Sequence, residues 1–351
     1  TEIYTLSLHD ALPIYLFRLS ESYPDAARYA LQAWAISKEY DIGIRCLESI
    51  LNNPAGNVMQ AEEILRTFQA EISQRPALII SRAKIAMRRN ANNFSRVQRQ
   101  VNDDLTMALD LISPERTDQL SAWRRDVRVI YPRPADTAAY YAAAATRSVH
   151  RDWVQFFRAE LQISEAGNFE DGIKELNALI SGASNDDVRV LSYRLLGTTL
   201  HTRQEHERAA EIWKAGLGKY PQDWEINNNL AYVYVRYLGR AAEALPYAEQ
   251  AVRSRAESSD ALDTLGVVYL ALGRAEEARQ ALEAAIARAG MTLSRIPPMI
   301  HLGGYYFAKG DTETASRLAR DVEAILNAVG VEGPSEYRTD LDELKRKIAG
   351  K

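Results

Sequence analysis

From Arg274 the chain reads RAEEARQALEAAIARA, with apolar residues at Ala275, Ala278, Leu282, Ala285 and Ile286. That spacing puts them on one face of an α-helix. The texture returns at a nearly fixed interval. Pairs of a leucine and a small residue stand at Leu196-Gly197, Leu230-Ala231, Leu265-Gly266 and Leu302-Gly303, with steps of 34, 35 and 37 residues. Three positions after each small residue comes Leu200, Tyr234, Tyr269 or Tyr306, and an alanine follows at Ala209, Ala244, Ala278 or Ala315. Between them stand Gly239, Gly273 and Gly310 in three of the four periods. Each period predicts two antiparallel helices joined by a turn. Small residues fall where the paired helices approach closely, and Trp213, Tyr234, Tyr269 and Leu282 fill the gaps. A weaker copy precedes these, with Ala159-Glu160, Ile163, Gly167, Phe169, Gly172 and Leu176. No helix pair of this size buries its apolar face alone, so neighbours must stack.

These residues resemble the tetratricopeptide repeat, whose signature runs W-x2-L-G-x2-Y…A-x3-F…P. The nearest copy is Leu262, Leu265, Gly266, Tyr269, Ala278 and Leu282; another carries Leu196, Gly197, Ala209, Trp213 and Pro221. The signature's first tryptophan is replaced, by Leu262 or Met299 for instance. The resemblance covers residues 153–329 and is to tetratricopeptide repeat proteins of bacterial type. It implies an all-α fold, an α-solenoid in which stacked repeats form a right-handed superhelix with a concave groove lined by first helices.

The N-terminal half keeps the helical texture with poorer periodicity. PDAARYALQAWAISKEYDIGIRCLESILNNP, from Pro24, reads as a helix pair with Trp34 in the aromatic slot and Leu47 on the second helix. The segments from Ala77 and from Asp104 read as another pair with an enlarged turn. In YPRPAD, from Tyr131, two prolines break the pattern, and AAYYAAAATRSVH reads as the next helix. Residues 15–132 are therefore expected to hold degenerate repeats, 133–333 about five helix pairs, and 334–351 a polar capping helix. Residues 1–14, TEIYTLSLHDALPI, resemble the in-frame translation of a short-read sequencing adapter. They are expected to be an artefact outside the fold, with the true start missing, which leaves localisation open.

Composition narrows the function. Forty-three basic and 47 acidic residues give a net charge of −4, which argues against a dedicated nucleic-acid binder. The lone Cys46 excludes a disulfide framework or a cysteine zinc site, and burial as a small core residue is expected for it. No phosphate loop, dinucleotide fingerprint, zinc-protease motif or nucleophile elbow occurs. No enzyme activity, cofactor or metal is expected. His201 and His206, five apart, do not share one helical face, and exposure around the turn is expected for both. Between Arg75 and Arg99 stand seven basic residues and no acidic one. This is either a patch for an acidic partner or a solvated face compensated by neighbouring helices, and the second is favoured because no aromatics interleave.

The resemblance implies a protein or peptide partner in the groove. On this register the groove-facing residues are Arg194, Thr198, Asn228, Asn229, Tyr232, Arg236, Asp263 and His301. A subclass of the family grips a partner's terminal carboxylate with two basic residues and two asparagines. Here Asn229 fits one slot, but Asp260 and Thr264 occupy the places of the basic pair. Two functions follow: a non-catalytic interaction scaffold, or the recruiting region of a larger enzyme whose catalytic domain lies upstream.

Overall fold

The computed structural model describes residue 31 and residues 40–165, 167–328 and 335–350. The adapter-like segment 1–14 and Trp34 lie outside the described residues. The chain packs as two compact units, residues 1–175 and 176–351. The described residues are all-α, with helices stacked in pairs.

In the first unit, α1 (Tyr40–Asn52) pairs with α2 (Val58–Thr67), and α3 (Pro76–Arg89) with α4 (Gln98–Asp110). A six-residue 3-10 stretch, Ala91–Arg96, makes the enlarged turn between α3 and α4. The prolines of YPRPAD separate α5 (Thr117–Ile130) from α6 (Pro134–Ala145), and Pro134 takes the first turn, where its missing N–H costs nothing. α6 pairs with α7 (Arg151–Ser164), which meets the start of α8 (Phe169–Gly182) closely: a Cβ on Gly172 would lie 2.6 Å from Ile163. The core centres on Trp123, fully buried, whose indole N–H donates to the Leu105 carbonyl at 2.8 Å. Tyr140, Tyr141 and Phe157 surround it at ring separations of 6.0–6.3 Å. Cys46 is fully buried on α1.

The same unit consumes most of the basic run. Arg88 donates to the carbonyls of Ile50, Asn53, Pro54 and Gly56, which closes the C-terminal end of α1. Arg82 grips Asp104 through two hydrogen bonds of 3.1 and 2.7 Å. Burial pushes the Asp104 carboxyl up, and Arg82 pulls the other way. Lys84 reaches Asp126 and Asn52. Arg89 pairs with Glu62 at 2.9 Å, and Arg75 lies over the Tyr40 ring. Five of the seven basic residues thus face partners within the unit, while Arg96 and Arg99 are exposed.

The second unit carries the regular repeats: α9 (Asp186–Thr202) with α10 (His206–Leu217), α11 (Trp224–Arg236) with α12 (Ala241–Ser254), α13 (Ser259–Ala271) with α14 (Ala275–Ala289), and α15 (Ile296–Ala308) with α16 (Thr312–Ala328). The periodic residues have one structural meaning. The carbonyls of Leu200, Tyr269 and Tyr306 each accept from the N–H five residues on, at 2.9–3.0 Å, and that of Tyr234 from the Arg240 N–H six residues on, at 2.8 Å, closing the first helix. That closure needs a left-handed residue, and Gly239, Gly273 and Gly310 supply it at φ of 65°, 73° and 85°. In the first of these repeats, between α9 and α10, Gln204 adopts φ 64° in the same place, although it carries a Cβ. Replacing Gln204 with glycine is expected to raise stability by about 0.5–1 kcal/mol, read as a shift of the denaturation midpoint.

α17 (Ser335–Ala349) packs on α15 and α16, where the first helix of a further repeat would stand. Its charge hides an apolar edge: Leu341 and Leu344 are buried, and a Cβ on Gly303 would lie 2.7 Å from the Leu344 side chain. Gly303 therefore makes its closest approach to this last helix, not to its own partner α16.

Candidate binding groove of the repeat region

Helix starts place the side chains. The Asp223 carboxylate accepts from the Ile226 N–H at the head of α11, and the Ser258 hydroxyl accepts from the Ala261 N–H at the head of α13. From those starts, Asn228 and Tyr232 lie one turn apart on α11, as do Asp260 and Thr264 on α13.

Together with α9, α15 and α17, these helices enclose a cavity of about 280 Å³. Six of the eight sequence-derived positions line it: Thr198, Asn228, Asn229, Tyr232, Asp263 and His301. Arg236 lines an adjoining cavity of about 480 Å³, which shares Ile300, His301 and Asp340 with the first. Arg194 lines neither. Its guanidinium holds Asp223 at 3.1 and 2.6 Å and Glu225 at 3.0 Å, so it braces α9 to α11. It is legible as an arginine on the right helix, but its fork is taken by the carboxylate that also caps α11.

Within the cavity wall, His301 Nδ1 and Asp263 Oδ1 are 2.7 Å apart, with both side chains largely buried. Tyr232 is half-buried, not exposed as expected of an anchoring tyrosine. Its ring lies edge-on to His201 and Tyr237, and it hydrogen-bonds with Arg236. Arg236 also reaches Asp340 of α17 at 3.3 Å. Asp260 has no hydrogen bond or ion pair among the described residues. Burial, and then the neighbouring Asp263, raise its carboxyl above the ordinary range, and Arg255 opposes the shift. The Asn228 side-chain oxygen is shielded from solvent with no hydrogen-bond partner.

Two features depart from the sequence reading. His201 and His206 are half-buried and face each other, Nδ1 to Nδ1 at 3.1 Å, with His206 stacked on Tyr237 at 4.2 Å. Five residues apart is a poor spacing on one helix, but the turn at Gln204 folds the start of α10 back onto the end of α9. Tyr337 and Asp340 of α17 also line the cavity, and sequence reasoning passed over them. The signal was present in Tyr337, Asp340, Leu341 and Leu344, which share one helical face.

The described residues of the second unit thus define an array of stacked helix pairs whose first helices share a cavity-bearing face. Residues 236–296 match the sequence model of the tetratricopeptide repeat, and the chain carries tetratricopeptide repeats. Among solved structures, MamA from Desulfovibrio magneticus RS-1 is similar at 19% identity, over 54% of this chain and 96% of that one, with a TM-score of 0.41. YrrB, a tetratricopeptide repeat protein with an unusual peptide-binding site, is similar at 17% identity, over 55% of this chain and all of YrrB, with a TM-score of 0.42. No curated protein matches the chain. No helix among the described residues is long and apolar enough to cross a membrane.

Proposed function

We propose that this chain is a non-catalytic interaction scaffold that holds a peptide or helix of a protein partner in the groove of residues 176–351. The observation that carries this reading is that six positions chosen from repeat register alone, on α9, α11, α13 and α15, line one cavity. A half-buried tyrosine beside two asparagines is suited to the task. The ring offers contact area at low entropic cost, and an amide both donates and accepts toward a peptide backbone.

The test begins with a randomised dodecapeptide library panned against the full chain. Tyr232→Ala combined with Asn229→Ala is expected to weaken the selected peptides by roughly 2 kcal/mol, about thirty-fold, with helicity unchanged. Affinity is measured by fluorescence anisotropy. Binding that ignores both substitutions, and falls steeply between about 50 and 200 mM salt, would place the contact on the basic run of the first unit. Failure to enrich any peptide would also count against the groove.

A further inference from the structure

We propose that the occupant of the 280 Å³ cavity is a cationic side chain, lysine or arginine, carried on an extended partner segment. This rests on the groove reading and names the chemistry of its ligand.

Charge is the first argument. The cavity presents Asp260, Asp263 and Asp340, and none of its lining residues is a lysine or an arginine. Asp340 is answered by Arg236 from the adjoining cavity, and Asp263 is in hydrogen-bond contact with His301. Asp260 is answered by no hydrogen bond or ion pair among the described residues, and Arg255, which attracts it, is stacked on the Trp224 ring at 4.7 Å. Asp260 is exposed on the cavity wall, open to an approaching cation, and a carboxylate that stands near another, Asp263, gains from a cation brought to it.

The second argument is independent of charge. The shielded side-chain oxygen of Asn228 lacks a donor, and a buried acceptor left open costs free energy that an incoming N–H recovers. A guanidinium brings five N–H donors and an ammonium three, neither with any acceptor. Part of the wall suits the stem: Pro297, Ile300 and Tyr232 offer apolar surface to the methylenes of a long cationic side chain. A terminal carboxylate, the ligand of the basic-residue grip described above, would instead meet Asp260 and Asp263 and be repelled.

The experiment uses the same peptide library, panned against the full chain at about 150 mM salt, where exposed charges are screened beyond ~8 Å. Selected sequences are expected to share a lysine or arginine. Asp260→Asn is expected to weaken them about tenfold or more, Asp260→Glu to restore most of the affinity, and Glu283→Gln, outside the cavity, to leave it unchanged. Circular dichroism checks that each variant folds. Neutral or acidic peptides that are lost on Tyr232→Ala with Asn229→Ala, yet indifferent to Asp260→Asn, would overturn the cationic ligand and keep the groove. Peptides that survive the double substitution would overturn both.

Discussion

Asp126→Ala is expected to destabilise the first unit by about 3 kcal/mol. Lys84 is the reason. Its side chain is 4% exposed, and its ammonium sits 2.5 Å from Asp126 Oδ1 and 2.7 Å from the Asn52 amide oxygen. An ammonium in that position is tolerable only while its carboxylate is present. Removing Asp126 leaves a buried charge with one neutral acceptor; replacing Lys84 with methionine leaves a carboxylate that is 23% exposed and reachable by water. The double variant Lys84→Met, Asp126→Ala is therefore expected to recover most of the loss, since an apolar side chain of similar length can fill the slot without a counter-ion. Urea denaturation of the two singles and the double closes the cycle. A loss below about 1 kcal/mol for Asp126→Ala would show that water already solvates Lys84 and that the pair is a surface contact.

That pair also explains what could and could not be read along the chain. In the second unit the sequence signal is a steric one. A first helix that crosses its partner closely admits only a small residue, and a left-handed closure favours glycine, so Leu265-Gly266 and Gly273 recur at the repeat interval and announce the fold. In the first unit the equivalent work is done by long side chains reaching across helices: Arg88 to four carbonyls, Arg82 to Asp104, Trp123 to the Leu105 carbonyl. Such contacts have no fixed spacing. Arg82 and Asp104 are 22 positions apart and Lys84 and Asp126 are 42 apart, so charge composition shows a basic run and hides its partners.

The groove divides along the same line. Thr198, Asn228, Asn229, Tyr232, Asp263 and His301 follow from register because each sits at a fixed offset from a leucine-small pair. Arg194 has the right offset too, yet its contact with Asp223 depends on how that carboxylate caps α11. Tyr337 and Asp340 belong to a helix with no repeat signature, and their place depends on Leu341 and Leu344 being buried. The His201–His206 contact turns on the left-handed Gln204, a residue that gives no hint of that conformation by type.

Gly266→Leu is expected to cost about 3 kcal/mol, at the upper end of what overpacking a core costs, and Ala271→Leu on the same helix less than about 0.5 kcal/mol. A Cβ built on Gly266 would stand 2.7 Å from both Cγ and Cδ2 of Leu282, and 3.5 Å from the Ala278 carbonyl oxygen. Leu282 is fully buried and packed with Ile296, Met299 and Ile300, so it has no open space to turn into. The conflict is met only by forcing α13 and α14 apart. Ala271 lies at the exposed end of α13, and a leucine there meets solvent. Separating the two helices would also move Asp260, Asp263 and Thr264, which α13 carries into the cavity. The loss of stability in Gly266→Leu should therefore arrive with a loss of peptide binding, although residue 266 itself is absent from the cavity wall. Equal midpoints for the two variants in urea denaturation would show that the close crossing lies elsewhere on α13. An unchanged peptide affinity in a destabilised Gly266→Leu would show that the groove does not depend on how α13 is seated against α14.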